Sequence, residues 1–161
     1  MVGPNPTPFQ QRKCPMELRI TSNERIALFI VSGKIGWDNS RILDTQIHKM
    51  VEKGCSHIIF NLDEVTFLCS GRIGALVYNM KKVQETGGDI YIVSTSDYIQ
   101  FLFATIGFNI IFSGRIFKSF TEFMDKVLQP KGLSLNLENA ESSIINTDEH
   151  RFQDGAAKSA A

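Results

Sequence analysis

Apolar and polar positions along the first third of the chain follow two different periods. Residues 17–21 and 25–32 are rich in strand-forming side chains, and the turn formers Ser22 and Asn23 separate them, which is typical of a hairpin. From residue 40 to residue 53 the apolar side chains recur at helical spacing, and Gly54 supplies a stop signal. The chain is therefore predicted to begin with two strands and a helix.

The rest of the chain alternates between strand patterns and helix patterns. Residues 57–62 are almost continuously apolar, as expected of a strand that is covered on both faces. The later predicted elements are a helix at residues 71–86, a strand at 90–93, a helix at 98–106, a short strand at 110–112 and a helix at 120–128. Strands joined by helices must be mostly parallel. The sequence thus predicts a single α/β domain in the order ββαβαβαβα, with a mostly parallel central sheet of about five strands and four helices.

Proline marks the limits of this predicted domain. Four prolines lie within residues 1–15, and the fifth, Pro130, follows a long stretch that contains none. We therefore divide the chain into a proline-rich extension, a folded domain over residues 16–129 and a tail over residues 130–161. The tail is polar and acidic and is expected to be mobile, although residues 133–137 alternate as an added edge strand would.

The charge balance excludes several classes of protein. The sequence has 17 Lys+Arg and 17 Asp+Glu residues, so it has no basic field to attract nucleic acid or an anionic membrane surface. It contains no membrane-spanning apolar run and no secretory signal. Cys14, Cys55 and Cys69 form no metal-ligand pattern with each other or with the histidines, and free thiols suit a reducing compartment. We expect a cytoplasmic protein that needs no metal and no cofactor.

The most informative segment is the loop at residues 63–74, which leaves the central strand and enters the next helix. Functional loops of parallel sheets lie beyond the carboxyl ends of the strands. Ser70 is expected to cap this helix by accepting the amide hydrogen of Arg72 or Ile73. Trp37 follows the second strand, and a parallel arrangement would bring it to the same edge of the sheet as Ser70.

The letters of this loop and its flanks follow a known order. One stretch reads VTFLCSGRIGALV, entered from IIFNLDEVTF and followed by TGGDIYIVSTSDYIQFLFATIGF, and in this order the segments resemble the STAS domain of bacterial anti-sigma factor antagonists. That family's signature is a strand ending in D-L-x-x-V, then x-F-h-D-S-S-G-h-G-x-L with h apolar, and a helix closed by G-G. The resemblance spans residues 16–128 and includes Gly33, Asp38-Asn39-Ser40, Gly87-Gly88 and the I-G-F at residues 106–108.

The resemblance implies a binding protein and not an enzyme. Members of the family bind an anti-sigma factor with a kinase-type ATPase fold and thereby release a sigma factor, which regulates transcription. The implied contact surface combines the start of the helix with the neighbouring loop. Its candidate residues are Trp37, Asp38, Asn39, Ser40, Cys69, Ser70, Gly71, Arg72, Ile73 and Gly74.

The match departs from the family at its phosphorylation motif. Aligned without gaps, D-S-S-G falls on Cys69-Ser70-Gly71-Arg72, so the position of the phosphorylated serine holds Gly71, which has no hydroxyl. In one hypothesis the protein binds its partner without a phosphate switch, and Arg72 projects from the helix start toward an acidic patch of the partner. In the other, Ser70 accepts the phosphate and Arg72 helps to hold it.

Two further interpretations stand beside this one. A non-catalytic STAS scaffold subunit of a stress-signalling or lipid-transport complex would use the same surface to hold a different protein. An enzyme is disfavoured, because Ser70 lies in no G-x-S-x-G motif and the glycines near it form no P-loop.

Helical spacing predicts which phenylalanines in the second half of the chain are buried and which are exposed. Phe101, Phe120 and Phe123 lie on apolar stripes and are predicted to be core residues. Phe103 lies off its stripe and is predicted to be exposed.

Overall fold

A sheet of six strands organises the part of the chain that the structure describes. The structure is a computed structural model that describes residues 15–135 and 140–146. The strands are β1 (Met16–Ser22), β2 (Ile26–Ile35), β3 (His57–Leu68), β4 (Asp89–Val93), β5 (Ile116–Phe117) and β6 (Glu141–Asn146). Their order is β5-β4-β3-β2-β1-β6, with β2 to β5 parallel and β1 antiparallel to both neighbours. The predicted α/β fold with a mostly parallel sheet is therefore confirmed.

Helices cover both faces of the sheet. Within the described ranges the α-helices are α1 (Ser40–Glu52), α2 (Ile73–Glu85), α3 (Asp97–Thr105), α4 (Phe108–Ile111) and α5 (Phe120–Phe123), and a π-helical segment, Met124–Leu128, continues α5. Successive residues of β3 point to opposite faces, so Phe60 joins the buried cluster that includes Ile47 of α1, whereas Ile59 joins a second cluster with Phe123 of α5. Because each face buries its own apolar cluster, residues 57–62 are apolar at nearly every position.

The β3 strand extends further than the sequence predicted. Residues 63–68, expected in a loop, continue the strand and pair with the end of β2. The pairing contains two register shifts, the second between Gly33 and Lys34, and such irregularities break the regular alternation of buried and exposed positions. For this reason residues 63–68 do not show the alternation of apolar and polar positions by which a strand is predicted. The connection from β3 to α2 is confined to residues 69–72.

A predicted strand at residues 110–112 is wrong. Residues 110 and 111 belong to α4, and Phe112 follows its last residue. Phe108 and Phe112 are four residues apart, about one helical turn, and both are buried. Gly107 adopts the left-handed conformation (φ 77°) between α3 and α4, so the apolar run enters a second helix instead of a strand. The strand that pairs with β4 is β5, a few residues further along the chain.

The edge strand of the C-terminal segment is β6, which pairs antiparallel with β1. The sequence pattern allowed such a strand at residues 133–137. Residues 133–135 form none, and Leu133 and Leu135 pack against the second cluster, whereas residues 136–137 lie outside the described residues. Alternation over so few residues does not specify a pairing partner. Since β6 lies within the segment assigned to the tail, the folded sheet includes part of that segment. The remaining boundaries stay predictions, because residues 1–14 and 147–161 lie outside the described residues.

The exposure of two phenylalanines on α3 is the reverse of the prediction. Phe103 is fully buried, whereas Phe101 is 72% exposed. Ile99 and Phe103 lie four residues apart and both face the core, which turns Phe101 away by about 200° around the helix axis. Phe123 is buried and Phe120 is half-buried against the second cluster, as predicted.

Truncating these two phenylalanines is expected to have very different consequences. Phe103→Ala should lower the free energy of unfolding by about 3–5 kcal/mol, because it opens a cavity among packed rings. Phe101→Ala should change it by less than about 0.5 kcal/mol, because the side chain is mostly solvated. Urea denaturation of dilute protein measures both values. A larger loss for Phe101→Ala than for Phe103→Ala would contradict the orientation of α3.

Candidate functional site

The carboxyl ends of β2 and β3 bring two loops side by side. The strands are parallel and end together, with Ile35 opposite Leu68. The amide of Cys69 donates a hydrogen bond to the carbonyl of Ile35 at 2.9 Å, which joins the two loops where they begin. Trp37 and Ser70 therefore lie at the same edge of the sheet, as the sequence predicted for parallel strands.

A buried amide shapes the loop that follows β2. The Oδ1 of Asn39 accepts a hydrogen bond from the amide of Gly36, and its Nδ2 donates one to the carbonyl of Lys34, both at 2.9 Å. These bonds fold the chain back on itself, and Trp37 and Asp38 face the solvent at the outside of the turn. Asn39 was a candidate contact residue, but its side chain is buried and supports the loop from within.

Arg72 does not project into solvent as expected. Its Nε donates a hydrogen bond to the Oγ of Ser40 at 2.8 Å, and its Nη2 lies 4.0 Å from the Oδ2 of Asp44. Its guanidinium carbon lies 5.0 Å from the ring centroid of Trp37. Asp44 is held in turn by the Nδ2 of Asn79, at 2.8 Å from Oδ1. Arg72 therefore connects the loop after β2, α1 and the start of α2 through contacts within the chain.

The indole of Trp37 lies directly over Gly71. A β-carbon built on Gly71 would be 2.8 Å from Cζ2 of Trp37, closer than side chains approach one another. The ring is nevertheless 64% exposed, because only its inner side contacts Gly71 and Arg72. The absence of a side chain at residue 71 thus allows the Trp37 ring to pack against the turn while most of it stays exposed.

Ser70 does not cap the helix, so this prediction is wrong. A single 3₁₀ turn, Ser70–Arg72, precedes α2 and moves the helix start to Ile73. The positions before the turn and before the helix are Cys69 and Arg72, and neither makes a side-chain capping bond. The amide of Arg72 donates instead to the carbonyl of Cys69 at 2.9 Å. Ser70 lies exposed at the outer end of the turn.

The structure separates the candidate contact residues into an accessible group and a buried group. Asn39, Ser40 and Ile73 are buried and belong to the support. The accessible group is called the tip surface below. It consists of the exposed residues Trp37, Asp38, Ser70, Gly71 and Gly74 and the half-buried residues Cys69 and Arg72.

Two aromatic residues near the tip surface were missed by the sequence interpretation. Phe67 precedes Leu68 at the end of β3 and is 45% exposed, because successive strand residues point to opposite faces. The hydroxyl of Tyr98, on α3, accepts a hydrogen bond from the amide of Leu68 at 3.1 Å. Residues 67 and 68 are both apolar and adjacent. In a strand, adjacent side chains point to opposite faces, so this pair indicates an outward-facing apolar residue if the strand extends that far.

A second polar cluster lies at the opposite end of the sheet. The ring of His57 is parallel to that of Tyr91 at 6.1 Å, and its Nδ1 lies 2.9 Å from the Oγ of Ser56. Burial lowers the pKa of His57, and burial also raises the pKa of Tyr91 to about 12. Both side chains are therefore uncharged at neutral pH, which suits their packing against one another.

The described residues contain neither a candidate metal site nor a helix that could span a membrane. No set of three or more His, Cys, Asp or Glu side chains within residues 15–135 and 140–146 is grouped so that it could hold a metal ion. None of the helices in that part of the chain combines the length and the apolar character needed to cross a bilayer.

The family of the chain is shown by a match to a family model. The family model of the STAS domain matches residues 17–123, which is more than half of the sequence. The chain belongs to the STAS domain family. The resemblance noted in the sequence is thereby confirmed, and the edge that carries the tip surface is one end of a STAS domain.

Solved structures share the fold of this STAS domain. An anti-sigma factor antagonist from Mycobacterium paratuberculosis is similar at 17% identity and a TM-score of 0.60, covering 70% of this chain and 93% of that one. SpoIIAA in its unphosphorylated form is similar at 13% identity and a TM-score of 0.59, covering 73% and 99%. The phosphorylated form of SpoIIAA, a Bacillus cell fate determinant, is similar at 14% identity and a TM-score of 0.53, covering 68% and 98%. At these identities the likeness concerns the fold.

Proposed function

We propose that this STAS domain is a non-catalytic anti-sigma factor antagonist. It binds an anti-sigma factor with a kinase-type ATPase fold through the tip surface, and so frees a sigma factor for transcription in the bacterial cytoplasm. The observation that carries the proposal is Trp37, whose exposed indole is held in place by Gly71 and Arg72. Tryptophan is favoured at the centre of protein interfaces, and contacts made before binding reduce the entropy that a side chain loses on binding. The two solved anti-sigma factor antagonists reported above share this fold, which supports the same role.

The charge of Arg72 refines the expected partner surface. Its guanidinium already interacts with Ser40, Asp44 and Trp37, so it offers little attraction to an acidic patch. The tip surface presents an aromatic ring beside the exposed Ser70 and Gly71. A partner of this shape provides an apolar depression for the indole, bordered by groups that hydrogen-bond to the turn.

The geometry supports antagonism without a phosphate switch at the tip. Gly71 has no hydroxyl, and a serine there would require the ring of Trp37 to move. A phosphate on Ser70 would compete with Ser40 and Asp44 for the guanidinium of Arg72, which already contacts both. Incubation with the cognate kinase-type partner and ATP is therefore expected to leave the intact mass unchanged. A gain of one phosphate that is absent from Ser70→Ala would overturn this part of the proposal.

Co-purification from the native cell tests the proposal as a whole. Tagged full-length protein is expected to retain a kinase-type ATPase, identified by mass spectrometry, and Trp37→Ala is expected to lose it. Ile144→Ala removes an exposed apolar side chain of β6 and should retain the ATPase, so it serves as the control. Recovery of a transporter subunit or a stress-complex subunit in place of the ATPase would instead assign the scaffold role.

A further inference from the structure

Strand β6 lies at one end of the strand order and covers the outer edge of β1. The two strands are antiparallel, with Leu18 opposite Ile145 and Arg19 opposite Ile144. On its other side β1 pairs with β2, and alternate residues of β1 are buried. If β6 left the sheet, the outer backbone N–H and C=O groups of β1 would lose their partner strand, and an edge of this kind accepts another extended segment.

The side chains of β6 contribute little to its attachment. Its first four residues are exposed, and Ile145 is the apolar residue of this strand that packs against the buried cluster of α1. The Nζ of Lys53 lies 2.7 Å from the Oε1 of Glu141, but both side chains are mostly exposed, and ion pairs of this kind contribute little to stability. The backbone ladder and one isoleucine therefore hold most of β6 in place.

The core of the domain is complete without β6. The fully buried members of the cluster against which Ile145 packs lie within residues 16–112, and those of the second cluster lie within residues 26–128. The part of the chain that matches the STAS domain model, residues 17–123, also ends before β6. Elements that bury few apolar side chains open at a lower free energy than the core strands.

We propose that the outer edge of β1 is a strand-binding site, which residues 141–146 occupy in cis and leave while the rest of the domain stays folded. The ligand is an extended segment, antiparallel to β1, with an apolar side chain at the position of Ile145. That position is selected because it lies opposite the buried Leu18, whereas Ile144 lies opposite the exposed Arg19. The site shares no residue with the tip surface, so it does not depend on the function proposed there.

Hydrogen exchange of the full-length protein tests whether β6 separates from the folded domain. The amides of β6 that donate to β1 are expected to exchange at least about a hundredfold faster than those at residues 58–62 of β3, which are released only when the domain unfolds. Equal protection of the two sets would overturn the proposal.

A fluorescent peptide of residues 140–146 tests the site itself. Ile145→Glu in the full-length chain should release β6, because the carboxylate would face the buried cluster. Fluorescence anisotropy should then show at least about tenfold tighter peptide binding than in the wild type, whose own segment competes at a high effective concentration. Ile144→Glu, at the adjacent residue that is 67% exposed, should behave like the wild type.

Two altered peptides test the specificity of the site. The peptide that carries Ile145→Glu should fail to bind the Ile145→Glu chain, whereas the peptide that carries Ile144→Glu should bind like the native one. Circular dichroism shows whether the variant chain is folded, and Ile145→Ser provides a milder change for the same measurement. Failure of the native peptide to bind the folded variant, or equal binding of the two altered peptides, overturns the proposal.

Discussion

Trp37→Ala is expected to weaken the binding of the anti-sigma factor by about a hundredfold, or about 3 kcal/mol. The indole is the largest exposed group of the tip surface and lies on a support that Gly71 and Arg72 fix in advance. Burying its outer side removes apolar area from water, while the ring itself has little freedom left to lose. Titration calorimetry with the purified ATPase partner measures the change in Kd.

A second variant separates the presence of the indole from its placement. Gly71→Leu keeps Trp37 but introduces a side chain where the ring lies, so it should weaken binding to a similar extent. Trp37 is the only tryptophan of the chain, and a change in its fluorescence reports whether the ring has moved. Ile144→Ala, far from the tip in the sheet order, should bind like the wild type. Normal affinity in both Trp37→Ala and Gly71→Leu would exclude the tip surface as the contact.

Gly88→Ala is expected to destabilise the fold by about 3 kcal/mol or more. A β-carbon on Gly88 would overlap the carbonyl oxygen of Ser56, which itself accepts a hydrogen bond from the amide of Asp89 at 2.9 Å. The obstacle is backbone at the start of two paired parallel strands, β3 and β4, so neither chain can move aside without breaking the pairing. Urea denaturation of the variant measures the loss of free energy of unfolding.

The chain supplies a matched control for this substitution. Gly74 lies in the first turn of α2, where an added β-carbon meets no atom within 4 Å. Gly74→Ala should therefore be neutral or should stabilise the protein by up to about 1 kcal/mol, since alanine favours the helix. Equal stabilities of Gly88→Ala and Gly74→Ala would show that β3 and β4 do not approach as described.

The candidate site was predictable in position but not in its internal contacts. Parallel pairing follows from the alternation of strand and helix patterns, and it placed Trp37 and Ser70 at one edge of the sheet. The engagement of Arg72 by Ser40 and Asp44 joins residues about thirty positions apart, and no local pattern encodes it. The 3₁₀ turn that displaced Ser70 from the capping position was likewise invisible, because a serine before a helical stripe is equally compatible with both arrangements.

The amino-acid sequence by itself determined the α/β class and most of the elements, because period and turn chemistry are local properties. The order of its motifs indicated the STAS domain family, to which the chain belongs. Only the tertiary structure decided which side of α3 is buried. Apolar residues occur on several sides of α3, so the sequence pattern of the helix could not show that Phe103 is buried and Phe101 exposed. Phe103 is buried because its ring packs against that of Phe108. The same holds for Trp37 and Gly71. A ring and a missing side chain become one surface only when two parallel strands end side by side.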